Sequence, residues 1–197
     1  NKIAVIIPAA GASSRFGGLI PKQFSRLGDE TVLEKSVNLF LGISNVNQVV
    51  VAVNQNEDLI KSQSFYQDPR IKIVAGGSTR SESVFNAMAE VDESIEIVAI
   101  HDAARPWLKK IHFKDLLSHL ANDQSIEGVF PVISATDSLR MKQGDDVIPV
   151  ERENFFHVQT PQIFYHDSLK LALDKLQQKG LHMSDEAQAI EHAGLKV

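Results

Sequence analysis

The stretch Ile3-Ala4-Val5-Ile6-Ile7-Pro8-Ala9-Ala10-Gly11-Ala12-Ser13-Ser14-Arg15-Phe16-Gly17-Gly18 decides how the rest of the chain is read. Its first six residues are continuously apolar and rich in β-branched side chains, the composition of a strand covered on both faces. The run is far too short to cross a membrane, and it lacks the basic lead and cleavage site of a signal peptide. Working outward, apolar runs flanked by turn residues recur at 48–53, 71–75, 95–101 and 128–133. Segments of helical period lie at 31–41, 56–65, 81–91, 111–121, 166–179 and 185–192. Thr31 is placed to cap the first of these and Gly180 to close the fifth. Strands alternating with helices predict an α/β fold, a doubly wound and mostly parallel sheet of Rossmann-like type. In such sheets ligands bind outside the carboxyl ends of the strands, so the loops after the strands are where chemistry is expected.

The segment 134–158 departs from this pattern. It is polar, lacks helical period, and contains Gly144, Asp145, Asp146 and Pro149. It reads as a β-arm projecting from the sheet, suited to a dimer interface or a lid over substrate. With the arm included, 1–197 reads as a single domain, without internal repeats or low-complexity stretches.

Composition narrows the function. The 197 residues are 43% hydrophobic, 23% charged and 7% aromatic, as in an ordinary globular protein that builds its own core. Cysteine is absent, which excludes disulfides, thiolate metal sites and thiol nucleophiles and makes a reducing cytoplasm the expected compartment. A net charge of −5 with scattered Lys and Arg argues against a nucleic-acid partner, and no segment suggests a membrane partner.

Small residues after the first strand let backbone N–H groups approach an anion closely, and Arg15 and Lys22 add two cations beside that cradle. Fixed cations aimed at a phosphoryl group in transfer stabilise its transition state. The plainer alternative is a tight, solvated turn with incidental charges. There is no G-x-x-x-x-G-K-[ST] and no G-x-G-x-x-G after the strand, so a P-loop enzyme and an NAD-linked dehydrogenase both lack their fingerprints. Gly76-Gly77-Ser78-Thr79-Arg80-Ser81-Glu82-Ser83 ends the third strand; it can be a capped strand-to-helix turn or a backbone surface that reads a base. His101-Asp102-Ala103-Ala104-Arg105-Pro106 ends the fourth and sets a carboxylate at the sheet edge. Asp102 can bind magnesium or a ribose hydroxyl there, or can pair with Arg105. Arg152 on the arm is a candidate phosphate clamp, through the planar fork of its guanidinium. Ser184-Asp185-Glu186-Ala187 reads as a helix start with acids in its first turn.

Pro8-Ala9-Ala10-Gly11, Arg15, Pro21-Lys22-Gln23, His101-Asp102-Ala103-Ala104-Arg105-Pro106 and Ser184-Asp185-Glu186-Ala187 together resemble the nucleotide-sugar pyrophosphorylase family. Within it they are similar to the branch that transfers CMP from CTP to 2-C-methyl-D-erythritol 4-phosphate in the non-mevalonate isoprenoid pathway. That resemblance implies catalytic roles for Arg15 and Lys22 at the α-phosphorus. It implies a nucleotide site of Pro8, Ala9, Ala10, Gly11, Ala12, Ser13, Gly76, Arg80, Ser83, Asp102 and Ala103, with Asp102 also the magnesium ligand. It assigns Arg105, Arg152 and either Thr136 or Ser138 to the polyol phosphate, and it implies a homodimer built by exchange of the arm. The family normally continues past the position of Val197 with a strand and a segment bearing Lys and Asp, which is expected to be missing here. Ribitol 5-phosphate is the rival substrate within the class, and a CTP-binding module without turnover is the rival outside it. Ala10, Ala104 and Glu186-Ala187 favour the methylerythritol branch.

Overall fold

The computed structural model of the chain describes residues 1–11, 20–180 and 183–197. Strand β1 (Ile3–Pro8) occupies the middle of a six-stranded sheet. A small antiparallel pair, β2 (Arg26–Leu27) and β3 (Glu30–Thr31), leads into helix α1 (Val32–Leu41) and then β4 (Val46–Val53). Next come β5 (Ile71–Ala75), α2 (Arg80–Met88), β6 (Ile97–Ile100) and α3 (Lys110–Asn122). The second half holds β7 (Gly128–Val129), β8 (Val132–Ser134), β9 (Leu139–Gln143), β10 (Asp146–Val150) and β11 (Phe156–Val158). Strand β12 (Gln162–Tyr165) and helices α4 (His166–Gln178) and α5 (Glu186–His192) complete it.

The main sheet runs β5-β4-β1-β6-β12-β7. β1 pairs in parallel with β4 and β6, and β4 with β5, whereas β12 is antiparallel to both of its neighbours. The sheet is therefore mostly parallel, as the alternation of runs predicts. Its core shows why β1 and β4 carry unbroken apolar sequence. Ile3, Val5, Ile7, Val49 and Val51 face one layer with Leu33, Val37 and Phe40 of α1 and Phe113 and Leu120 of α3. Ala4, Ile6, Val50 and Ala52 face the other, with Val84 and Ala87 of α2, Leu169 and Leu173 of α4 and Ile190 of α5. The two-residue alternation of a strand sends successive side chains to opposite faces, and helices cover both.

Caps fall where the sequence places them. The Thr31 side chain accepts from Glu34 N–H while the Glu34 carboxylate accepts from Thr31 N–H, a complete capping box. Gly180 follows the end of α4 with φ +59°, a left-handed conformation that glycine adopts without strain. The arm is realised as a hairpin in which β9 and β10 turn through Gly144 at φ +63°. At its base β8 pairs with β11.

Three expectations change. The segment 56–65 is a single 3-10 turn over Asp58–Ser62 rather than a helix, because its buried apolar residues, Ile60 and Phe65, are five apart and define no common helical face. The run 128–133 is two strands in two sheets; Pro131, which has no N–H to donate, separates them. β12 is a further strand, too short and too closely preceded by Pro161 to be read from periodicity. No helix among the described residues is long and apolar enough to cross a membrane.

Candidate active site

Because β1, β4, β5 and β6 are parallel, the loops after all four open on one edge of the sheet. A cleft of about 610 Å³ lies there. Pro8, Ala9, Ala10 and Gly11 form its wall after β1, Asn54 after β4, Gly77, Ser78, Thr79 and Arg80 after β5, and Asp102 and Ala103 after β6. Ser83 of α2, Lys22, Gln23 and Ala104 complete it. The structure thus gathers most of the expected nucleotide site into one place. Ala12, Ser13 and Arg15 lie outside the described residues.

Gln23, missed in the sequence except as part of a string, explains how the first loop is held. Its buried side chain donates from Nε2 to the carbonyls of Ala9 at 2.7 Å and Gly11 at 3.2 Å. One amide thereby ties the strand end to the 3-10 turn at Lys22–Phe24 and sets Lys22 in the cleft wall. Both acceptors are backbone carbonyls, and the Ala9 N–H donates to the Ala52 carbonyl at 2.7 Å, so the strand end is held from two sides.

The second loop packs against the first with no room between them. A Cβ added to Gly76 would sit 2.4 Å from Ala10 Cβ and 2.9 Å from Ser83 Oγ. Gly76 is therefore a packing residue between the two loops, and its N–H is bonded to the Val53 carbonyl. The Ser83 hydroxyl accepts from Gly77 N–H and donates to the Thr79 carbonyl, and the Thr79 hydroxyl accepts from Glu82 N–H. These bonds fix the loop shape while Ser83 stays at the cleft margin.

Under the cleft runs an alternating line of charge. The Arg80 guanidinium gives Nη1 and Nη2 to the two carboxylate oxygens of Glu186 at 2.7 and 3.2 Å, and Nε to Asp102 Oδ1 at 3.1 Å. Arg105 Nε donates to Asp102 Oδ2 at 3.1 Å. Glu186 is fully buried, and Asp102 and Arg80 are each about one-third exposed. Burial pushes the Glu186 carboxyl up, and acceptance by both of its oxygens is the pattern of an ionised carboxylate. Burial works against the charge on Asp102 too, yet Arg80 and Arg105 together outweigh it and hold that carboxyl below its ordinary value. Burial likewise opposes the Arg80 charge, but the two carboxylates keep its pKa raised.

His101 is buried beside this line. Nε2 faces the Arg105 carbonyl at 3.0 Å, which can only accept, so Nε2 carries the proton. Nδ1 then accepts from the Thr160 hydroxyl, whose oxygen in turn accepts from Asp102 N–H. Burial pushes the His101 imidazole down to about 4, so it is neutral at physiological pH. It orients the Asp102 backbone and has no path to the cleft as a base.

The polyol-phosphate candidates lie elsewhere. Arg105, also bonded to Gln159, borders a neighbouring hollow of about 770 Å³ with Trp107, His112 and Thr160. Arg152 donates from Nη1 to the Thr136 carbonyl at 2.6 Å and lies beside Glu153. Neither Arg152, Thr136 nor Ser138 borders the nucleotide cleft within one chain.

As for magnesium, no cluster of three or more His, Asp or Glu suited to a metal exists among the described residues. Magnesium keeps most of its waters and binds through one or two carboxylates plus substrate phosphates. Asp102 is the one carboxylate in the described cleft wall, and each of its oxygens retains a lone pair after the arginine contacts.

The family model described as IspD, 2-C-methyl-D-erythritol 4-phosphate cytidylyltransferase, matches residues 3–197. The chain is 35% identical to the enzyme of that name from Blochmanniella pennsylvanica over 98% of this chain and 83% of that protein. It is 37% identical to the one from Actinobacillus pleuropneumoniae serotype 7 over 98% and 84%. Its structure is similar to the Francisella tularensis enzyme of that name, with TM-score 0.84 and 28% identity, covering 100% of this chain and 88% of the other. The Thermus thermophilus enzyme gives TM-score 0.78 at 30% identity, with 100% and 87% covered. With its small-residue loop, Lys22 and the Asp102 edge in one cleft, the chain belongs to the 2-C-methyl-D-erythritol 4-phosphate cytidylyltransferase family.

Proposed function

We propose that the protein transfers CMP from CTP to 2-C-methyl-D-erythritol 4-phosphate and releases pyrophosphate, a step of the non-mevalonate isoprenoid pathway. The observation that carries this reading is the joining of the Pro8–Gly11 backbone, Lys22, Arg80 and Asp102 around one cleft in a member of this family. A phosphate oxygen of the polyol phosphate attacks the α-phosphorus of CTP. The new phosphorus–oxygen bond forms as the bond to the bridging oxygen breaks, and pyrophosphate leaves with that electron pair. The nucleophile is already ionised near neutral pH, so no general base is required, in keeping with a buried, neutral His101.

The chain's own residues then have positional and electrostatic work. Backbone N–H groups of the first loop cradle the triphosphate. Lys22, with Arg15 by resemblance, meets the charge that builds on the phosphoryl oxygens. The loop from Gly76 to Ser83 holds the base. Asp102 would hold a magnesium ion, which when bound would supply positive charge to neutralise the phosphates. Arg105 on the far side of Asp102 receives the polyol phosphate, with Arg152 and Thr136 or Ser138 reaching a site from a second copy.

A homodimer through the arm is part of the same reading. Ile133 and Phe156 are each more than half exposed, and Val132, Phe155 and Val158 are exposed around them on the β8–β11 pair. Apolar surface gathered this way marks a contact with another protein surface. The cysteine-free composition supports a reducing cytoplasm as its compartment.

The test incubates the protein with CTP, magnesium and 2-C-methyl-D-erythritol 4-phosphate and measures pyrophosphate, with ribitol 5-phosphate in parallel. Release with the first substrate alone supports the reading. Release with ribitol 5-phosphate alone moves the substrate, and CTP binding without release with either makes the chain a nucleotide-binding module.

A further inference from the structure

The SDEA helix start at Ser184 reads as a capping feature, and Asp185 does cap α5 by accepting from Gln188 N–H. Its neighbour Glu186 does something a helix start does not require. It is fully buried, with 106 residues separating it from Arg80, and it accepts both ends of the Arg80 fork. The Glu186 backbone is fixed as well, because the Gln162 side-chain carbonyl accepts from the N–H groups of Glu186 and Ala187 at 3.1 and 3.0 Å. A rigid strand, β12, thus anchors the helix that anchors the carboxylate.

We infer that Glu186 is a positioning residue for the nucleotide site: it holds the Arg80 guanidinium so that Asp102 stays at the cleft edge, balanced in charge and able to take a cation. The inference rests on the proposed role of Asp102 in nucleotide and magnesium binding. The line Glu186, Arg80, Asp102, Arg105 alternates in sign and sums to zero. Without the Glu186 charge, Asp102 stands as one carboxylate between two guanidinium groups. It is then overmatched by positive charge, and a magnesium ion gains less by approaching it. A glutamine there keeps one accepting oxygen, so Arg80 loses the two-point grip that fixes its plane and is left with Nε to Asp102 as its carboxylate contact. Glu186 lines no part of the cleft, so its influence passes through Arg80.

The experiment is a double-mutant cycle on the full chain, with Arg80→Gln, Glu186→Gln and Arg80→Gln/Glu186→Gln measured for CTP binding by calorimetry across a magnesium titration. Thermal unfolding is followed in the same samples. The paired variant removes both charges together, so it remains informative if Glu186→Gln alone leaves Arg80 poorly compensated and unfolds. For Glu186→Gln, the magnesium concentration needed for half-maximal CTP binding rises by about tenfold, the size expected for coupled neighbours. The paired variant binds CTP no worse than Arg80→Gln alone. Two results overturn the inference: Glu186→Gln lowers the unfolding temperature without moving the magnesium midpoint, or the losses of the two single variants add in the paired one. Both are read against wild-type protein that binds CTP in a magnesium-dependent way; wild-type protein that does not would overturn the role of Asp102 itself, and this inference with it.

Discussion

Lys22 stands in the cleft wall because Gln23, beside it, is bolted to the strand end through two backbone carbonyls. A cation fixed in advance stabilises charge that develops only in the transition state, at no cost of rearrangement during reaction. Lys22→Ala is therefore expected to lower kcat by 2.7 to 4 kcal/mol of barrier, about a hundred- to a thousandfold, while CTP affinity changes little. Steady-state kinetics beside calorimetry measures both, and equal losses in the two would make Lys22 a ground-state binding residue. Gly76 poses the opposite problem, an absence of space. Its missing Cβ is what lets the loop after β5 touch Ala10, and a methyl there meets another short, immovable group. Gly76→Ala is expected to destabilise the fold by about 1 to 3 kcal/mol and to weaken CTP binding with it. Urea unfolding and CTP titration of the same variant report on both, and an unchanged midpoint would show that the loops can part.

Among the elements, α1 depends on its first turn. Its capping box is reinforced because the Thr31 hydroxyl also donates to Gln63 Oε1 at 2.6 Å, and Glu34 accepts from Ser64 N–H as well. Thr31→Ala removes the cap and that bond from a buried position, and a loss of about 1 to 2 kcal/mol is expected in chemical denaturation. The arm is the element whose stability the single chain does not explain. The β9–β10 hairpin exposes Met141 and Val147, and two strands alone are marginal in water. Phe156→Lys at the base of the arm is expected to convert a dimer to a monomer in sedimentation. The same variant should retain CTP affinity, since Phe156 borders no part of the nucleotide cleft, yet lose turnover on the polyol phosphate. A variant that stays dimeric and fully active would place the interface on another face.

At the scale of the whole molecule, stability depends on buried groups that resist a change of charge. His101, held at about 4 by burial and packed edge-on against Phe40 at 5.2 Å, stays neutral in the fold. The unfolded chain takes up a proton near pH 6.5. Its neutral state therefore contributes fully above pH 6.5, and that contribution is lost as the pH falls towards 4, because the unfolded chain then binds a proton the fold refuses. Over that window the loss approaches about 3 kcal/mol. Below it Asp102, lowered against burial by Arg80 and Arg105, adds a further loss in the same direction. Urea midpoints measured from pH 7.5 to 4.5 should fall steadily below 6.5, and His101→Asn should flatten that part of the curve. A wild-type midpoint constant over the range would mean that His101 titrates alike in both states.

Local patterns were enough for whatever depends on neighbours in sequence: the mostly parallel sheet from unbroken runs such as Ile3–Pro8, the caps at Thr31 and Gly180, and the polar arm, while the loop residues Pro8 to Gly11 with Lys22 and Asp102 were singled out by family resemblance and are found around one cleft. Strand period, cap chemistry and small-residue turns act over a few residues, so they are written there. Tertiary structure decided what depends on approach across the fold. It showed that 56–65 has no helical face to bury, that β12 enters the sheet antiparallel, and that Arg152, Thr136 and Ser138 stand apart from the nucleotide cleft of their own chain. Above all it turned Glu186 from a helix-start acid into the buried partner of Arg80. A side chain's partner 106 residues away has no signature in local spacing; only the closing of α5 against the sheet brings the two charges within reach, where Arg80 compensates the burial of Glu186.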